Sequence, residues 1–142
     1  MRAPTSFLSN KEPFRIPVRV YYQDTDAGGV VFHAQYLAFM ERARTELLND
    51  AGIDLAKIAD EQRVLFLVFK LAATYHRPAR LNELLSVSAE VARIGRASLV
   101  FHQRVERGAD LLVEADVTLA LVDRERLTPT RIPSQLERAF IK

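Results

Sequence analysis

Two hydrophobic periods divide the chain. Residues 16–23, IPVRVYYQ, alternate and are rich in Val and Tyr, which predicts a first strand. Residues 33–52, HAQYLAFMERARTELLNDAG, repeat at helical spacing instead. Tyr36, Phe39, Met40, Ala43 and Leu47 make one apolar stripe, and Leu37 and Leu48 widen it. Glu41, Arg42, Glu46 and Asn49 take the other side, and Gly52 is placed to cap the C-terminus. The spacing predicts the longest helix of the chain, about 18 residues, with a short helical piece over 54–62. From residue 64 the period drops to two. Residues 64–78, 82–95, 96–107 and 109–124 read as four long strands, broken by the turn-forming segments PARLNE, IGRA and RGAD. In LVFHQRVE polar and apolar positions alternate, so that strand has one wet face. Residues 133–141 predict a short terminal helix with Pro133 near its first turn.

Strands joined by tight turns are antiparallel, because parallel neighbours need a long crossover. The order of strand, long helix and four strands therefore predicts an α+β domain. One five-stranded antiparallel sheet buries the apolar stripe of one long helix. That single domain spans 16–142, and residues 1–15, which carry no periodicity, read as a flexible leader. The sheet's other face and its edges need cover, which predicts dimers or larger oligomers.

Composition narrows the class. Of 142 residues, 49% are hydrophobic, enough for a core and too many for a disordered chain. No run of about 18 apolar residues exists, so membrane insertion is not expected. The N-terminus lacks the continuous apolar core of a secretory signal. There is no cysteine, which removes disulfides, thiolate metal sites and a Cys nucleophile, and fits a reducing cytoplasm. Net charge is +2, and the arginines alternate with acids without forming a basic stripe, so nucleic acid is not an expected partner.

The segment YYQDTDAGGVVFHAQY, residues 21–36, is where chemistry concentrates. Asp24, Asp26 and Gly29 align with positions one, three and six of a helix-loop-helix calcium loop. Position twelve, however, is Gln35 in place of a bidentate Glu, and too few oxygens remain. Two readings stay open from the residues alone. Either the aspartates accept hydrogen bonds from turn amides, or one of them is a base or nucleophile. For the second reading, a helix opening near His33 offers free N–H groups and a positive dipole end for an oxyanion. Gly28 and Gly29 leave room for a carbonyl to approach the backbone. Val30, Val31 and Phe32 would keep a carboxylate partly dry. This layout suits attack on an activated acyl group. No Gly-x-Ser-x-Gly elbow is present, so a serine-hydrolase route is out.

VRVYYQDTDAGGVVFHAQYLAFMERARTELL, with YHRPARLNELLSV and GRASLVFHQRV further on, resembles the hotdog-fold acyl-CoA thioesterases. The resemblance is to the YbgC branch of the 4-hydroxybenzoyl-CoA thioesterase family and covers roughly residues 16–130. It implies a hotdog fold, in which the sheet wraps the long helix, and hydrolysis of acyl-CoA to a free acid and CoA. It implies Asp26 as the catalytic carboxylate, Asp24 as its structural neighbour, and the His33 N–H as oxyanion donor. The His33 side chain is a further candidate for orienting water or substrate. It also implies a homotetramer, no cofactor beyond the CoA of the substrate, and no metal. Acyl carrier protein is a possible partner, and members of the branch are associated with the Tol-Pal envelope system.

CoA carries phosphates, so a basic rim is expected. Arg93, Arg96 and Ser98, at the turn in ARIGRAS, are assigned to it, with Arg124 and Arg126 as a second basic group. His76 and His102 read as structural, and Glu41 as a surface ion-pair partner. Phe39, Met40, Phe66 and Phe69 either line a pocket or belong to the core. Two alternatives compete with hydrolysis: a hotdog dehydratase using His33 and Glu41, and a non-catalytic scaffold.

Overall fold

Residues 12–141 are described by a computed structural model. Five strands, β1 (Phe14–Arg19), β2 (Val64–Tyr75), β3 (Leu84–Ile94), β4 (Ser98–Arg107) and β5 (Asp110–Asp123), form one sheet in the order β1-β3-β4-β5-β2. Every neighbouring pair is antiparallel. The helices are α1 (Gln35–Asp50), α2 (Leu55–Gln62) and α3 (Ser134–Ile141). Helix α1 lies against β3, β1 and β4. The sheet curls around its buried stripe of Tyr36, Phe39, Met40, Ala43 and Leu48. This is the predicted α+β hotdog. No helix among the described residues is long and apolar enough to cross a membrane.

Differences from the sequence reading lie at element ends. The expected leader falls mostly outside the described residues, but Phe14 and Arg15, assigned to it, already pair with Ala89 and Ser88. The first strand stops at Arg19, not residue 23. Tyr22–Asp24 winds into a 3-10 turn instead, because Asp24 Oδ2 accepts the Tyr21 N–H at 2.8 Å and pulls the chain round. A Tyr-rich alternation cannot reveal that competing side-chain bond. Helix α1 has 16 residues and begins two residues after His33, an ordinary uncertainty for a helix end. Pro17 sits in β1, an edge strand paired with β3 alone, where a missing N–H is tolerated.

The wet-and-dry alternation of β4 has one exception. Leu99, Phe101 and Val105 face the core, and so does Gln103, which is fully buried. Its Nε2 donates to the carbonyls of Met40 (3.0 Å) and Ser88 (3.1 Å), and its Oε1 accepts from Arg44 Nη1 (2.9 Å). Full satisfaction is what makes a buried amide tolerable. This one also ties α1 to β3 and β4.

The end of α1 is fixed as the sequence suggested. The Gly52 N–H donates to the Asn49 carbonyl, the Ile53 N–H to that of Leu48, and Gly52 takes φ +83°. That is a Schellman ending, which needs a left-handed residue after the cap. Nothing lies within 4 Å of a Cβ placed on Gly52, so a side chain there meets backbone strain and no clash. Gly52→Ala should cost about 1–2 kcal/mol, read from the chemical-denaturation midpoint with the slope unchanged.

Candidate active site

The DTDAGG segment folds into a tight hairpin end. Thr25 bridges Val31, the Asp26 N–H donates to the Val30 carbonyl (2.9 Å), and the Gly29 N–H closes the turn on the Asp26 carbonyl (3.1 Å). Gly29 has φ +82°, a conformation that asks for glycine. Both aspartates bond turn amides, in different surroundings. Asp24 is 3% exposed; its Oδ2 takes the Tyr21 N–H, and its buried Oδ1 has no partner among the described residues. Asp26 is exposed, and its Oδ1 accepts the Gly28 N–H at 2.8 Å. A Cβ on Gly28 would come within 3.2 Å of that oxygen. The backbone glycine and the carboxylate are therefore fitted to each other.

The chain then returns toward α1. The Phe32 N–H donates to the Asp24 carbonyl (3.0 Å), and the Phe32 carbonyl accepts the Gln35 N–H (2.8 Å). Between them, the His33 N–H donates to no acceptor among the described residues. It stands at the head of α1, whose N-cap, Ala34, offers no side-chain oxygen. An unspent donor at the positive end of a helix dipole favours a developing negative charge. The His33 ring is exposed and rests against Phe32, with centroids 4.5 Å apart. Of the three neighbours expected to dry the carboxylate, Val31 turns into the core, Val30 is half-buried and Phe32 is exposed. Within one chain Asp26 stays open to water.

The loop between β2 and β3 backs this segment. The Val31 N–H donates to the Ala79 carbonyl (2.9 Å), the Ala79 N–H donates to the Tyr36 hydroxyl (2.9 Å), and Val30 bridges Arg80. Burial pushes the Tyr36 hydroxyl above its ordinary value, against the Ala79 bond that lowers it, so Tyr36 stays neutral. The Tyr75 hydroxyl, on the last residue of β2, donates to the His33 carbonyl at 2.9 Å. Tyr75 is not marked out in the sequence, because a terminal Tyr in an alternating strand looks like any other β-former. Its only signal was its place as the first residue of YHRPAR.

The remaining sequence-predicted residues lie elsewhere. Arg93 lies near the end of β3, Arg96 in the β3–β4 turn and Ser98 at the start of β4, where the Gly95 N–H donates to the Ser98 carbonyl (2.8 Å). The DTDAGG segment sits toward Leu84, at the opposite end of β3, where Val30 bridges Arg80. Eleven strand residues at about 3.3 Å each put the turn ~30 Å away, so one chain does not bring the two together. His76 pairs with Glu114 (3.0 Å) and His102 with Asp116 (2.9 Å) on the sheet, in keeping with structural roles. Glu41 forms no ion pair among the described residues. It lines a groove of about 300 Å³ with Arg44, Leu37, Met40, Val68 and Leu71. Phe39 is core, Phe66 lines an adjoining groove, and Phe69 is 75% exposed. Arg124 is engaged with Asp60 at 3.0 Å.

The profile of the thioesterase superfamily matches residues 28–114, more than half of the chain. The acyl-CoA thioesterase YbgC of Haemophilus influenzae is 44% identical over 127 residues, covering 89% of this chain and 93% of that protein. The chain belongs to the thioesterase superfamily, in its YbgC branch. The acyl-CoA thioester hydrolase YbgC of Escherichia coli is likewise 44% identical, over 92% of this chain and 98% of that protein. A probable thioesterase from Bartonella henselae superposes with a TM-score of 0.82 at 34% identity, over 86% of this chain and all of that one. This YbgC-branch thioesterase domain therefore presents its motif on a hotdog scaffold.

The backing loop is itself clamped by charge. Arg107 Nη1 donates to Glu83 Oε1 (2.9 Å) and to the Pro78 carbonyl (3.2 Å), and Glu83 Oε1 also accepts the Arg80 N–H (2.8 Å). Burial pushes the Glu83 carboxyl up, but the Arg80 N–H and the Arg107 guanidinium outweigh it and hold it below its ordinary value. A depressed folded value means the clamp stabilises fully above the unfolded value, and its contribution disappears as pH falls through the folded one. Glu83→Gln should lower stability by on the order of 1 kcal/mol at neutral pH. It should also flatten the acid-side loss when unfolding midpoints are followed from pH 7 downward.

Proposed function

We propose that this protein hydrolyses acyl-CoA thioesters to a free carboxylic acid and CoA, with Asp26 as the catalytic carboxylate and the His33 N–H as oxyanion donor. The observation that carries the reading is the pairing, on one braced segment of a YbgC-branch chain, of an exposed anchored carboxylate with an unspent helix-head amide. A thioester carbonyl whose oxygen meets the His33 N–H gains negative charge there as its carbon is attacked. Asp26 either takes the proton of the attacking water or attacks the carbon itself, giving an anhydride that water cleaves. In both routes CoA departs as a thiolate. The Gly28 N–H engages Oδ1 and leaves Oδ2 free to take the proton or to attack. The His33 ring is exposed beside the same site, within reach of water.

Assembly completes the site in this reading. Strand β2 pairs with β5 alone, and it carries Leu67, Val68, Phe69 and Leu71 largely exposed. A long apolar edge of that kind needs a partner, and a second copy pairing along β2 supplies it. The copy also covers the open side of Asp26 and roofs the groove beside α1, where the acyl group lies. Arg93, Arg96 and Ser98, ~30 Å from their own Asp26 along β3, then serve CoA bound at another subunit of a tetramer. A carrier-protein thioester presents the same reacting group and is a second substrate class.

Asp26→Asn should lower kcat by roughly 10²- to 10⁴-fold in a free-thiol assay over short, long and aromatic acyl-CoAs, with thermal unfolding unchanged. Equal release by both proteins would move the carboxylate role to Asp24 or Glu41. Val68→Asp should shift the sedimenting species to smaller mass and take the activity with it. A fully active single chain would sink the shared-site arrangement.

A further inference from the structure

We infer that Tyr75 is a positioning residue for the oxyanion amide, acting through the backbone of His33. Its hydroxyl donates to the His33 carbonyl at 2.9 Å. Helix α1 does not use that carbonyl. The Leu37 N–H, which an α-helical ladder would send to it, goes to Ala34 at 3.1 Å instead. Tyr75 is therefore the only donor to the His33 carbonyl among the described residues. The peptide on the other side of His33 is held independently, since its Phe32 carbonyl accepts the Gln35 N–H at 2.8 Å. The His33 N–H lies in that same peptide plane, and Tyr75 holds the next one, so the two soft dihedrals between the planes are fixed and the N–H plane is braced from both sides.

Tyr75 is braced on one side by a buried ring. Its ring stands edge-on to Tyr36, with centroids 5.7 Å apart, and Tyr36 is itself edge-on to Phe39 in the core. Tyr36 also takes the Ala79 N–H. The Tyr75 ring is 46% exposed, but one side of it rests on the buried Tyr36, and its hydroxyl reaches from the end of β2 to the head of α1. A small misdirection of an oxyanion donor costs rate while leaving ground-state binding alone.

The kinetic consequence rests on the thioesterase reading; the geometric one does not. Tyr75→Phe should lower kcat roughly tenfold with KM unchanged, keep its thermal midpoint, shift the His33 amide signal in a ¹H–¹⁵N spectrum and quicken that amide's hydrogen exchange. Tyr75→Leu removes the ring as well. Equal losses in the two variants assign the effect to the hydroxyl, whereas a loss confined to the leucine variant would make it ring packing and overturn the inference. Wild-type kcat in Tyr75→Phe, or a fall in kcat with an unmoved His33 amide, would also overturn it. If the wild-type protein releases no thiol from any acyl-CoA, the thioesterase reading fails by itself. The His33 amide then decides the role of Tyr75 alone, sustained by a moved signal and refuted by an unmoved one.

Discussion

Ala79 holds the site segment at two points. Its carbonyl takes the Val31 N–H, and its N–H goes to the Tyr36 hydroxyl, inside a fully buried contact. Val31 precedes the helix head and Tyr36 lies in the first turn of α1, so this one residue brackets His33. A buried backbone group without a partner costs free energy on the scale of a lost hydrogen bond. Sliding the segment along the loop would strand both groups at once. The turn carrying Asp26 and the amide of His33 inherit their placement from that constraint.

The constraint works because what lies behind it is stiff. The loop bearing Ala79 is gripped by the Glu83–Arg107 pair, with Arg107 on β4 next to the tight β4–β5 turn. Helix α1 is set by its apolar stripe and by Gln103, whose amide nitrogen and oxygen both find partners on α1 and β3. Sheet, loop and helix thus meet at the site from three directions. Catalytic groups on a short loop gain precision when the scaffold beneath them cannot shift.

The open face of the site and the bare edge of β2 express one fact. A single chain fills the concave side of β1, β3 and β4 with α1, but β5 and β2 keep a groove beside it. The extra residue at Phe69, where the β2–β5 register shifts, turns an aromatic ring outward on an already apolar edge. Such an edge is tolerated where another chain covers it. In the assembly proposed above, the same cover would lower the local dielectric around Asp26 and strengthen charge interactions there.

Much of this was written in the periodicity. The switch from a 3.6-residue to a two-residue period marked α1 and the four later strands, and tight turns between them forced an antiparallel sheet. The run DTDAGGVVFH marked the segment where chemistry gathers, and Gly52 marked the helix end. These are local signals, set by backbone geometry and by which side chains avoid water. What the sequence left undecided are contacts between residues far apart in the chain. The end of β1 was fixed by a side-chain bond to Tyr21, and a glutamine facing the core was satisfied by α1 and β3. The burial of Asp24 against the exposure of Asp26 arose from how the hairpin lies on the sheet. The distance of Arg93 and Arg96 from Asp26 follows from strand direction alone. Tyr75 met His33 across 42 positions, a pairing that exists only once the end of β2 reaches the head of α1. Periodicity records which face a residue presents, and only the closed sheet determines what that face meets.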